Sequence, residues 1–190
     1  MSTDLLATEL LVEAFGRVRE TVHCALEGAG TEVLTFRADP QANTIAWLVW
    51  HLTRVQDDHI AELVGAEQVW TKGGWVDRFQ LPFDPGATGY GQGAADVAEV
   101  RSDAVQLAGY YDAVHTRTID YLCTLTEPDF ARVVDTAWDP PVTLAVRLVS
   151  VLSDDLQHAG QASYVRGLAE RAKSERAKSK RARTERARRS

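Results

Sequence analysis

The sequence predicts an all-α protein, a four-helix bundle with a long crossover loop between the second and third helices. Four stretches carry apolar residues at the three- and four-residue spacing of an amphipathic helix, and no strand-like alternation persists. The segment 66–93, rich in aromatic residues and glycine, separates the second stretch from the third. Four long helices with one long connection are typical of a helix bundle.

The first helix is predicted over residues 4–29, where an apolar stripe stops at Gly28 and Gly30. The stripe consists of Leu11, Phe15, Val18, Val22 and Leu26. His23 falls off this stripe, so we expect it on the surface.

The second helix is predicted from a cap at Asn43 or Thr44 to Val64, with Gly65 as its stop. Its inward strip is unusual because imidazole and carboxylate groups lie among apolar residues. The strip consists of Trp47, His51, Val55, Asp58 and Glu62. A charged group on a buried face needs a partner, so this strip is a candidate site.

The crossover loop, residues 66–93, shows no helical or strand period. Its aromatic residues are Trp70, Trp75, Phe79, Phe83 and Tyr90. A segment with so many rings can bury surface, so we expect a packed loop over one end of the bundle rather than a disordered one.

The third helix is predicted from a cap at Ser102 or Asp103 to about Leu125, and Glu127-Pro128 ends it. His115 borders its apolar stripe. We expect this histidine to be a pocket or core residue rather than a metal ligand.

The fourth helix is predicted from an N-cap at Asp139 through Leu168, with prolines in its first turn. His158 lies on its apolar face. Asp154 stands one turn earlier, and Asp155 lies just to the other side. An imidazole and a carboxylate therefore point toward the core, where each requires a partner.

The charge of the chain is divided unequally. Residues 171–190 contain ten Lys or Arg and two Glu, whereas residues 1–170 contain 11 basic and 25 acidic residues. We therefore predict one bundle domain over 1–170 and a basic tail over 171–190, mobile or prolonging the fourth helix. The acidic body argues against a nucleic-acid surface, so contact with nucleic acid is expected only through the tail.

No stretch of 18 apolar residues and no signal-peptide pattern occurs, so we predict a cytoplasmic protein that spans no membrane. The two cysteines, Cys24 and Cys123, occur singly and without metal-ligand spacing. They are predicted to be buried thiols.

Spacing suggests a metal site between the second and fourth helices. His51 would meet the Asp154/His158 pair, whose i,i+4 spacing aligns both side chains on one face. Two imidazoles and one carboxylate suit Zn²⁺ or another first-row ion and leave a position open for water or substrate. The spacing leaves Asp155 as an alternative to Asp154.

Competing interpretations exist for these residues. A single histidine on an apolar face is more often a hydrogen-bonded core residue. Two inward histidines together with inward carboxylates, on two different helices, are harder to explain as packing. On the second helix, Asp58, His59 and Glu62 are alternative ligands. For Asp58 and Glu62, contact with solvent or with Arg54 is favoured over ligation.

The blocks WLVWHLTRVQDDHIAEL and DDLQHAGQASYVRG resemble the DinB-like superfamily, over about residues 5–168. The resemblance implies a four-helix bundle that holds a divalent metal through a histidine of the second helix and an (H/E/D)xxxH pair of the fourth. These positions correspond to His51, Asp154 and His158, which favours Asp154 over Asp155. An aspartate stands where many relatives have His or Glu, and its side chain is shorter than that of Glu.

Relatives in that superfamily include mycothiol-dependent maleylpyruvate isomerase and bacillithiol S-transferases. The resemblance implies a metal-dependent thiol transferase, isomerase-like enzyme or hydrolase, acting with a small-molecule thiol such as mycothiol and an electrophile. Zn²⁺ is the first candidate metal, ahead of Ni²⁺, Fe²⁺ and Mn²⁺. The alternative is a non-catalytic metal- or ligand-binding module with a stress or regulatory role. The apolar content also permits a homodimer.

Further residues are candidates for substrate binding. Gln161 and Arg166, beyond His158 on the fourth helix, can orient a bound anion. The remaining candidates, which wall the pocket or belong to the core, are Trp47, Asp58, Trp75, Tyr90 and His115.

Overall fold

The computed structural model describes residues 5–189, and the side chains of all of these except 5, 6, 186 and 189. Four long helices dominate it, so the predicted all-α bundle is confirmed. The helices are α1 (Leu5–Leu26), α2 (Thr31–Leu34), α3 (Ile45–Val64), α4 (Val69–Lys72), α5 (Trp75–Phe79), α6 (Ala94–Glu99), α7 (Ala104–Leu122) and α8 (Leu144–Arg189). A 3-10 helix, Glu127–Ala131, and two short strands, β1 (Val133–Asp135) and β2 (Val142–Thr143), lie between α7 and α8.

Both ends of α3 are fixed by the residues that the sequence indicated. The hydroxyl oxygen of Thr44 accepts a hydrogen bond from the Trp47 N–H at 3.0 Å. At the other end, Gly65 adopts the left-handed conformation with φ 67°, which a glycine reaches without steric cost. At the start of α7, the Asp103 carboxylate accepts from the Gln106 N–H at 2.8 Å.

The core lies between α1, α3, α7 and α8, and α3 packs most extensively against α8. Its largest fully buried apolar side chains come from all four helices and from α2. They include Phe15, Leu34, Trp50, Ile60, Leu107, Tyr110, Tyr111 and Leu148. Each large apolar side chain of this kind contributes about 1.5–3 kcal/mol to folding when buried, so these contacts hold α3 and α8 in fixed register.

The crossover packs against the bundle and contains two short helices, α4 and α5, and α6 follows directly after it. Trp70 and Phe79 are buried, and their rings lie beside Tyr110 of α7. The Asp57 carboxylate accepts hydrogen bonds from the backbone N–H groups of Val69 and Trp70 at 2.8 and 2.7 Å. These bonds fix the start of α4 against α3.

Arg54 is fully buried and holds the later part of the crossover. Its guanidinium donates to the carbonyl oxygens of Ala87 at 3.0 Å and Pro85 at 3.4 Å. The carboxylate partner of Arg54 is Asp57, at 3.8 Å. For Asp58 and Glu62 the sequence favoured contact with solvent or with Arg54; Glu62 is 62% exposed and pairs with Arg147 at 3.3 Å, and Asp58 accepts a hydrogen bond from Gln68.

The predicted start of the fourth helix at Asp139 is wrong, because α8 begins at Leu144. The preceding residues instead form β2, which pairs antiparallel with β1. Thr143 supplies the cap, since its hydroxyl oxygen accepts from the Val146 N–H at 3.4 Å. The pairing of Val133 with Thr143 and of Asp135 with Val142 outweighs the preference of a proline pair for a first helical turn.

The helix α8 continues without a break through residues 171–189. From residue 173 to residue 185 every side chain is exposed, so this part of the helix packs against little else. Arg176 makes an exposed ion pair with Glu32 at 3.3 Å.

Both cysteines are exposed, which corrects the prediction of buried thiols. Cys24 lies beside the buried residues Ala25 and Leu26 on α1 but faces outward. The general preference of cysteine for the interior does not hold at either position. Within residues 5–189, no helix combines the length and the apolar character that crossing a membrane requires.

Candidate metal centre

His51 of α3 and the pair Asp154 and His158 of α8 converge at the contact between these two helices. One ligand-type atom from each residue lies within 4.8 Å of those from the other two. Nε2 of His158 is 3.6 Å from Oδ1 of Asp154, and the two imidazole centroids are 4.8 Å apart. Among the described residues, this is the group of three that can share one ion.

The orientation of His51 is fixed by the crossover. Its Nδ1 lies 2.6 Å from the carbonyl oxygen of Thr88. Because a carbonyl oxygen only accepts hydrogen bonds, Nδ1 carries the ring proton and Nε2 keeps its lone pair. Histidines that bind metals characteristically donate their other N–H in this way.

His158 is arranged in the same manner by its own helix. Its Nδ1 donates to Oε1 of Gln161 at 3.0 Å, so Nε2 is the nitrogen that faces Asp154, and in the neutral ring this nitrogen carries the lone pair. The second carboxylate oxygen of Asp154, Oδ2, is buried and has no hydrogen-bond partner. Two free imidazole nitrogens and a carboxylate with an unpaired oxygen fit a divalent ion.

Burial and charge shift the pKa values of the two cluster histidines in opposite directions. Burial lowers the pKa of His51, and the bond to Thr88 offsets only part of this effect. The carboxylate of Asp154 raises the pKa of His158. His51 is 6% exposed, whereas the side chains of His158 and Asp154 are 18% and 32% exposed. The cluster is therefore open to small molecules on the α8 side.

Trp47 and Gly89 close the other side of His51. The Trp47 ring stacks on the imidazole at a centroid distance of 4.5 Å and an interplanar angle of 17°. Its Nε1 donates to Gln92 of the crossover at 2.7 Å. Gly89 has φ +98°, and a Cβ added there would lie 2.6 Å from Nδ1 of His51. Only a glycine allows the crossover backbone to approach the imidazole this closely.

Asp155, the alternative left open by the spacing, does not join the histidines. It is fully buried, and neither carboxylate oxygen has a hydrogen-bond partner. Burial and the neighbouring Asp154 charge raise its pKa well above the ordinary value. The Asp155 charge in turn contributes to the raised pKa of Tyr111, which places it on the α7 side.

The other candidates on α3 and α8 make contacts outside the cluster. Asp58 accepts a hydrogen bond from Gln68 at 2.6 Å. Arg166 pairs with Glu170 at 2.9 Å and donates to the carbonyl oxygen of Cys24 at 2.7 Å. Both side chains are therefore engaged in structural contacts.

Three aromatic or histidine candidates also lie elsewhere. Trp75 packs against Tyr110 at 5.6 Å between ring centroids. Tyr90 is 94% exposed. His115 is near Tyr111, at 6.0 Å between centroids, and its Nε2 is buried without a partner. Of the seven substrate-binding candidates, the structure brings Trp47 and Gln161 into contact with the cluster.

Sequence reasoning missed the contributions of Thr88, Gly89 and Gln92. Thr88 acts through its backbone carbonyl, which every residue possesses, so no side-chain pattern marks it. The repeated glycines of the GATGYGQG segment are a usable signal, because they indicate close backbone approach or positive φ.

Comparisons with known proteins agree with this geometry. Residues 10–170 match the protein family described as Mycothiol-S-transferase. A crystal structure of a conserved protein from Enterococcus faecalis is similar, with 29% sequence identity and a TM-score of 0.81. The similarity covers 89% of this chain and 98% of that one. No curated protein matches the chain. The resemblance to the DinB-like superfamily is thereby confirmed, and the chain belongs to the mycothiol-S-transferase family.

Proposed function

We propose that this protein is a metal-dependent S-transferase that joins a low-molecular-weight thiol, with mycothiol as the first candidate, to a small electrophile. The observation that carries the proposal is the cluster of His51, Asp154 and His158, whose ligand-type atoms lie within 4.8 Å of one another. Membership of the mycothiol-S-transferase family supports the choice of thiol.

Zn²⁺ is the ion that we propose first, because two imidazole nitrogens and one carboxylate oxygen leave a fourth position free, as in catalytic zinc sites. Ni²⁺, Fe²⁺ and Mn²⁺ take similar donors and follow as alternatives. When bound, such an ion lowers the pKa of a thiol and so provides thiolate at neutral pH.

The surrounding residues keep the ligands in place. The Thr88 carbonyl and the Gln161 side chain hold the Nδ1 protons of the two histidines, so both Nε2 atoms face the cluster. Trp47 covers one face of the His51 imidazole. Ligands held by packing and hydrogen bonds need little rearrangement when an ion binds, which favours tight binding.

The proposed reaction balances without an oxidant or a reductant. The thiol gives up its proton, its sulfur forms a bond to the electrophilic carbon, and the leaving group departs with the electron pair of the broken bond. The products are a thioether and the conjugate acid of the leaving group. Reversible addition of the same thiol to a double bond would give an isomerase-like reaction.

The test is a thiol-transfer assay with protein purified without a chelating tag. Mycothiol, bacillithiol and cysteine are each offered with 1-chloro-2,4-dinitrobenzene, with and without added Zn²⁺. We expect metal-dependent turnover that is lost in His51→Ala and His158→Ala. His23→Ala is the control, because His23 binds Asp112 at 2.8 Å, outside the cluster.

Absence of metal-dependent turnover with every thiol would count against the transferase. If the same protein nevertheless bound one ion per chain through His51 and His158, the result would favour a non-catalytic metal-binding module over the transferase. Equal metal content in the wild type and in both histidine variants would contradict the proposed metal site itself.

We also propose a homodimer, on the apolar content of the sequence, and a location in the cytoplasm. Sedimentation of the full chain at micromolar concentration tests the first of these. A monomer throughout the concentration range would exclude it.

A further inference from the structure

The last part of α8, residues 171–189, is a largely exposed basic helix. It belongs to the tail, residues 171–190, whose ten Lys or Arg and two Glu give a net charge of +8. Among the side chains that the structure describes, the tail makes one ion pair, Arg176 with Glu32 at 3.3 Å. The rest of its positive charge is therefore available to a partner.

The tail is built from four copies of a five-residue repeat, RAKSE, RAKSK, RARTE and RARRS. Arg171, Arg176 and Arg181 open the first three copies. Successive residues of a helix are about 100° apart, so a step of five residues turns a side chain by about 140°. These three arginines therefore point to three different sides of the helix. The Lys or Arg at the third position of each copy is spread in the same way, so the tail is positively charged on all sides.

The tail has no aromatic ring and no apolar side chain larger than that of alanine. A helix that lies on a membrane buries an apolar face containing Trp, Phe or Leu. Proteins that bind single-stranded nucleic acid stack the bases on aromatic rings, and protein interfaces have an apolar core. The composition of the tail therefore favours a partner that is recognised by its charge alone.

A polyanion that surrounds the helix matches the distribution of charge on the tail. The major groove of B-form DNA is about 12 Å wide and admits an α-helix, whose diameter with side chains is about 10–12 Å. Phosphates line both walls of the groove, so cations on opposite sides of the helix bind at once, whereas a flat anionic surface would reach one side only. The major groove of an RNA duplex is too narrow for a helix. At 1.5 Å per residue, residues 171–189 also fit within one turn of the DNA duplex, about 34 Å.

The acidic body restricts such a contact to the tail. Residues 1–170 contain 11 basic and 25 acidic residues, and this negative charge repels phosphates. Within the tail, Arg176 and Lys180 are one helical turn apart, and like charges at this spacing repel each other. Phosphates placed between such pairs relieve the repulsion, so the partner also stabilises the helix that binds it.

We propose that the tail binds double-stranded DNA independently of base sequence, as a helix in the major groove with phosphates on both sides. Contacts with phosphates carry no sequence information, and each copy of the repeat presents nearly the same side chains. This binding is separate from the proposed transferase reaction. The tail begins about 20 Å beyond His158 along α8, so the DNA lies away from the metal centre.

The test is a fluorescence polarisation titration of a labelled duplex of about 20 base pairs with the full chain, between 50 and 200 mM NaCl. Contacts from about five of the ten basic residues would give a slope of about −4.5 for log K against log[NaCl]. The Kd should be about 1–100 μM at 150 mM NaCl. A duplex of unrelated sequence should bind equally well. An RNA duplex, a DNA single strand and phosphatidylglycerol vesicles should bind more weakly.

Two double variants probe opposite sides of the helix. Lys173→Gln with Lys180→Gln removes two charges from one side, and Arg171→Gln with Lys178→Gln removes two from the other, because residues seven apart share a face. Glutamine has nearly the helix propensity of lysine and arginine. In the groove both sides contact phosphates, so each double variant should bring the slope closer to zero by about 2.

Arg17→Gln with Lys72→Gln is the matched control, because it removes the same charge from exposed positions of the body. It should leave the slope and the DNA affinity unchanged. Far-UV circular dichroism and thermal unfolding should be the same in all three double variants, which shows that they are folded. The measurements need neither metal nor thiol, so their outcome is independent of the proposed function.

No affinity for the duplex at 50 mM NaCl would overturn the proposal, as would a slope that both tail variants leave unchanged. A change of slope in only one tail variant would place the DNA on one face and contradict binding in the groove. Equal or tighter binding to the vesicles or to the RNA duplex would assign the tail to another partner. Self-association without DNA that both tail variants abolish would assign it to the acidic body of a second copy, and would also overturn the proposal.

Discussion

Nδ1 of His51 lies 2.6 Å from the carbonyl oxygen of Thr88, so the crossover backbone directly orients one of the candidate metal ligands. The same stretch of crossover is bound to α3 through Arg54, which donates to the carbonyl oxygen of Ala87. A change that displaces this stretch will therefore turn the imidazole as well. The candidate metal centre depends on the crossover as much as on the two helices that carry the candidate ligands.

Gly89→Ala is expected to weaken Zn²⁺ binding by about 10- to 100-fold, the usual effect of disturbing a residue that orients a ligand. The added Cβ would lie 2.6 Å from Nδ1 of His51, so the crossover or the imidazole must move. Competition with a chromogenic chelator measures the affinity. Gly91→Ala is the matched control, because Gly91 also has positive φ, +75°, but its Cβ would meet no atom within 4 Å.

Both glycine variants should lose about 1–3 kcal/mol of stability from the strained backbone. Only Gly89→Ala should lose metal affinity as well. An equal loss of affinity in both variants would mean that the close approach to His51 has no bearing on the metal centre.

Asp154→Asn should weaken Zn²⁺ binding strongly, whereas Asp155→Asn should leave it within about threefold of the wild type. The reason is that Asp154 faces the two histidines, while Asp155 is buried elsewhere without a partner. The two variants are matched in chemistry and differ by one position. The same metal titration compares them, and a greater loss in Asp155→Asn would reverse the assignment.

Asp155→Asn is also expected to stabilise the protein at pH 8. A carboxyl group whose folded-state pKa is raised binds protons more tightly in the folded than in the unfolded chain. Ionisation of Asp155 therefore lowers the unfolding free energy. This loss is absent below the pKa of the carboxyl group in the unfolded chain, about 3.9, and it grows as the pH rises from there toward the higher pKa in the folded chain. Urea unfolding at pH 4 and pH 8 should show a gain for the variant that is larger at pH 8.

His59→Asn should make stability less sensitive to mild acid. Burial and the adjacent Arg147 lower the pKa of His59, whose Nδ1 accepts from the Arg147 guanidinium at 2.8 Å. The unfolded chain therefore takes up a proton at this histidine more readily than the folded chain does. The unfolding free energy falls as the pH drops below about 6.5, the pKa in the unfolded chain, toward the lower pKa of His59 in the folded chain. Asn retains an acceptor for Arg147 but has no titrating group.

Urea unfolding of metal-free protein at pH 5.5 and 7.5 measures this difference. The wild type should lose more unfolding free energy between the two conditions than the variant does. An identical loss would indicate that His59 does not contribute to the pH dependence.

Removal of residues 177–190 should change the unfolding free energy by no more than about 0.5 kcal/mol, as is usual for exposed positions. The side chains of residues 177–185 are exposed. A chain ended after residue 164 is the comparison, because it also loses the buried side chains of Val165 and Ala169. That shorter chain should be clearly destabilised in thermal unfolding, and a similar loss in both would show that the tail packs on the bundle.

The parts of the fold that could be predicted are those that depend on local chemistry. The ends of α3 follow from the Thr44 hydroxyl and from the left-handed conformation of Gly65, and both act on adjacent backbone. The i,i+4 spacing of Asp154 and His158 sets them on one face of α8 for the same reason. The structure brings these two residues together with His51, the set that spacing and resemblance favoured.

The parts that could not be predicted depend on contacts beyond the adjacent backbone. The start of α8 is set by β2 pairing with β1, which the Asp139 sequence context does not show. Adjacent side chains point about 100° apart around a helix, so Asp154 and Asp155 both lie near an edge of the apolar face. Only packing determines which of the two carboxylates faces the histidines. The role of Thr88 could not be predicted, because it depends on a backbone carbonyl and not on the side chain.

The unbroken course of α8 also gives the molecule an electrical polarity. Residues 171–189 extend about 28 Å at 1.5 Å per residue, and they belong to the tail whose net charge is opposite to that of the body. Opposite charges held apart by a stiff helix form a permanent dipole. An anionic surface would therefore rotate the protein tail-first before any contact forms, and added salt would abolish this alignment beyond about 10 Å.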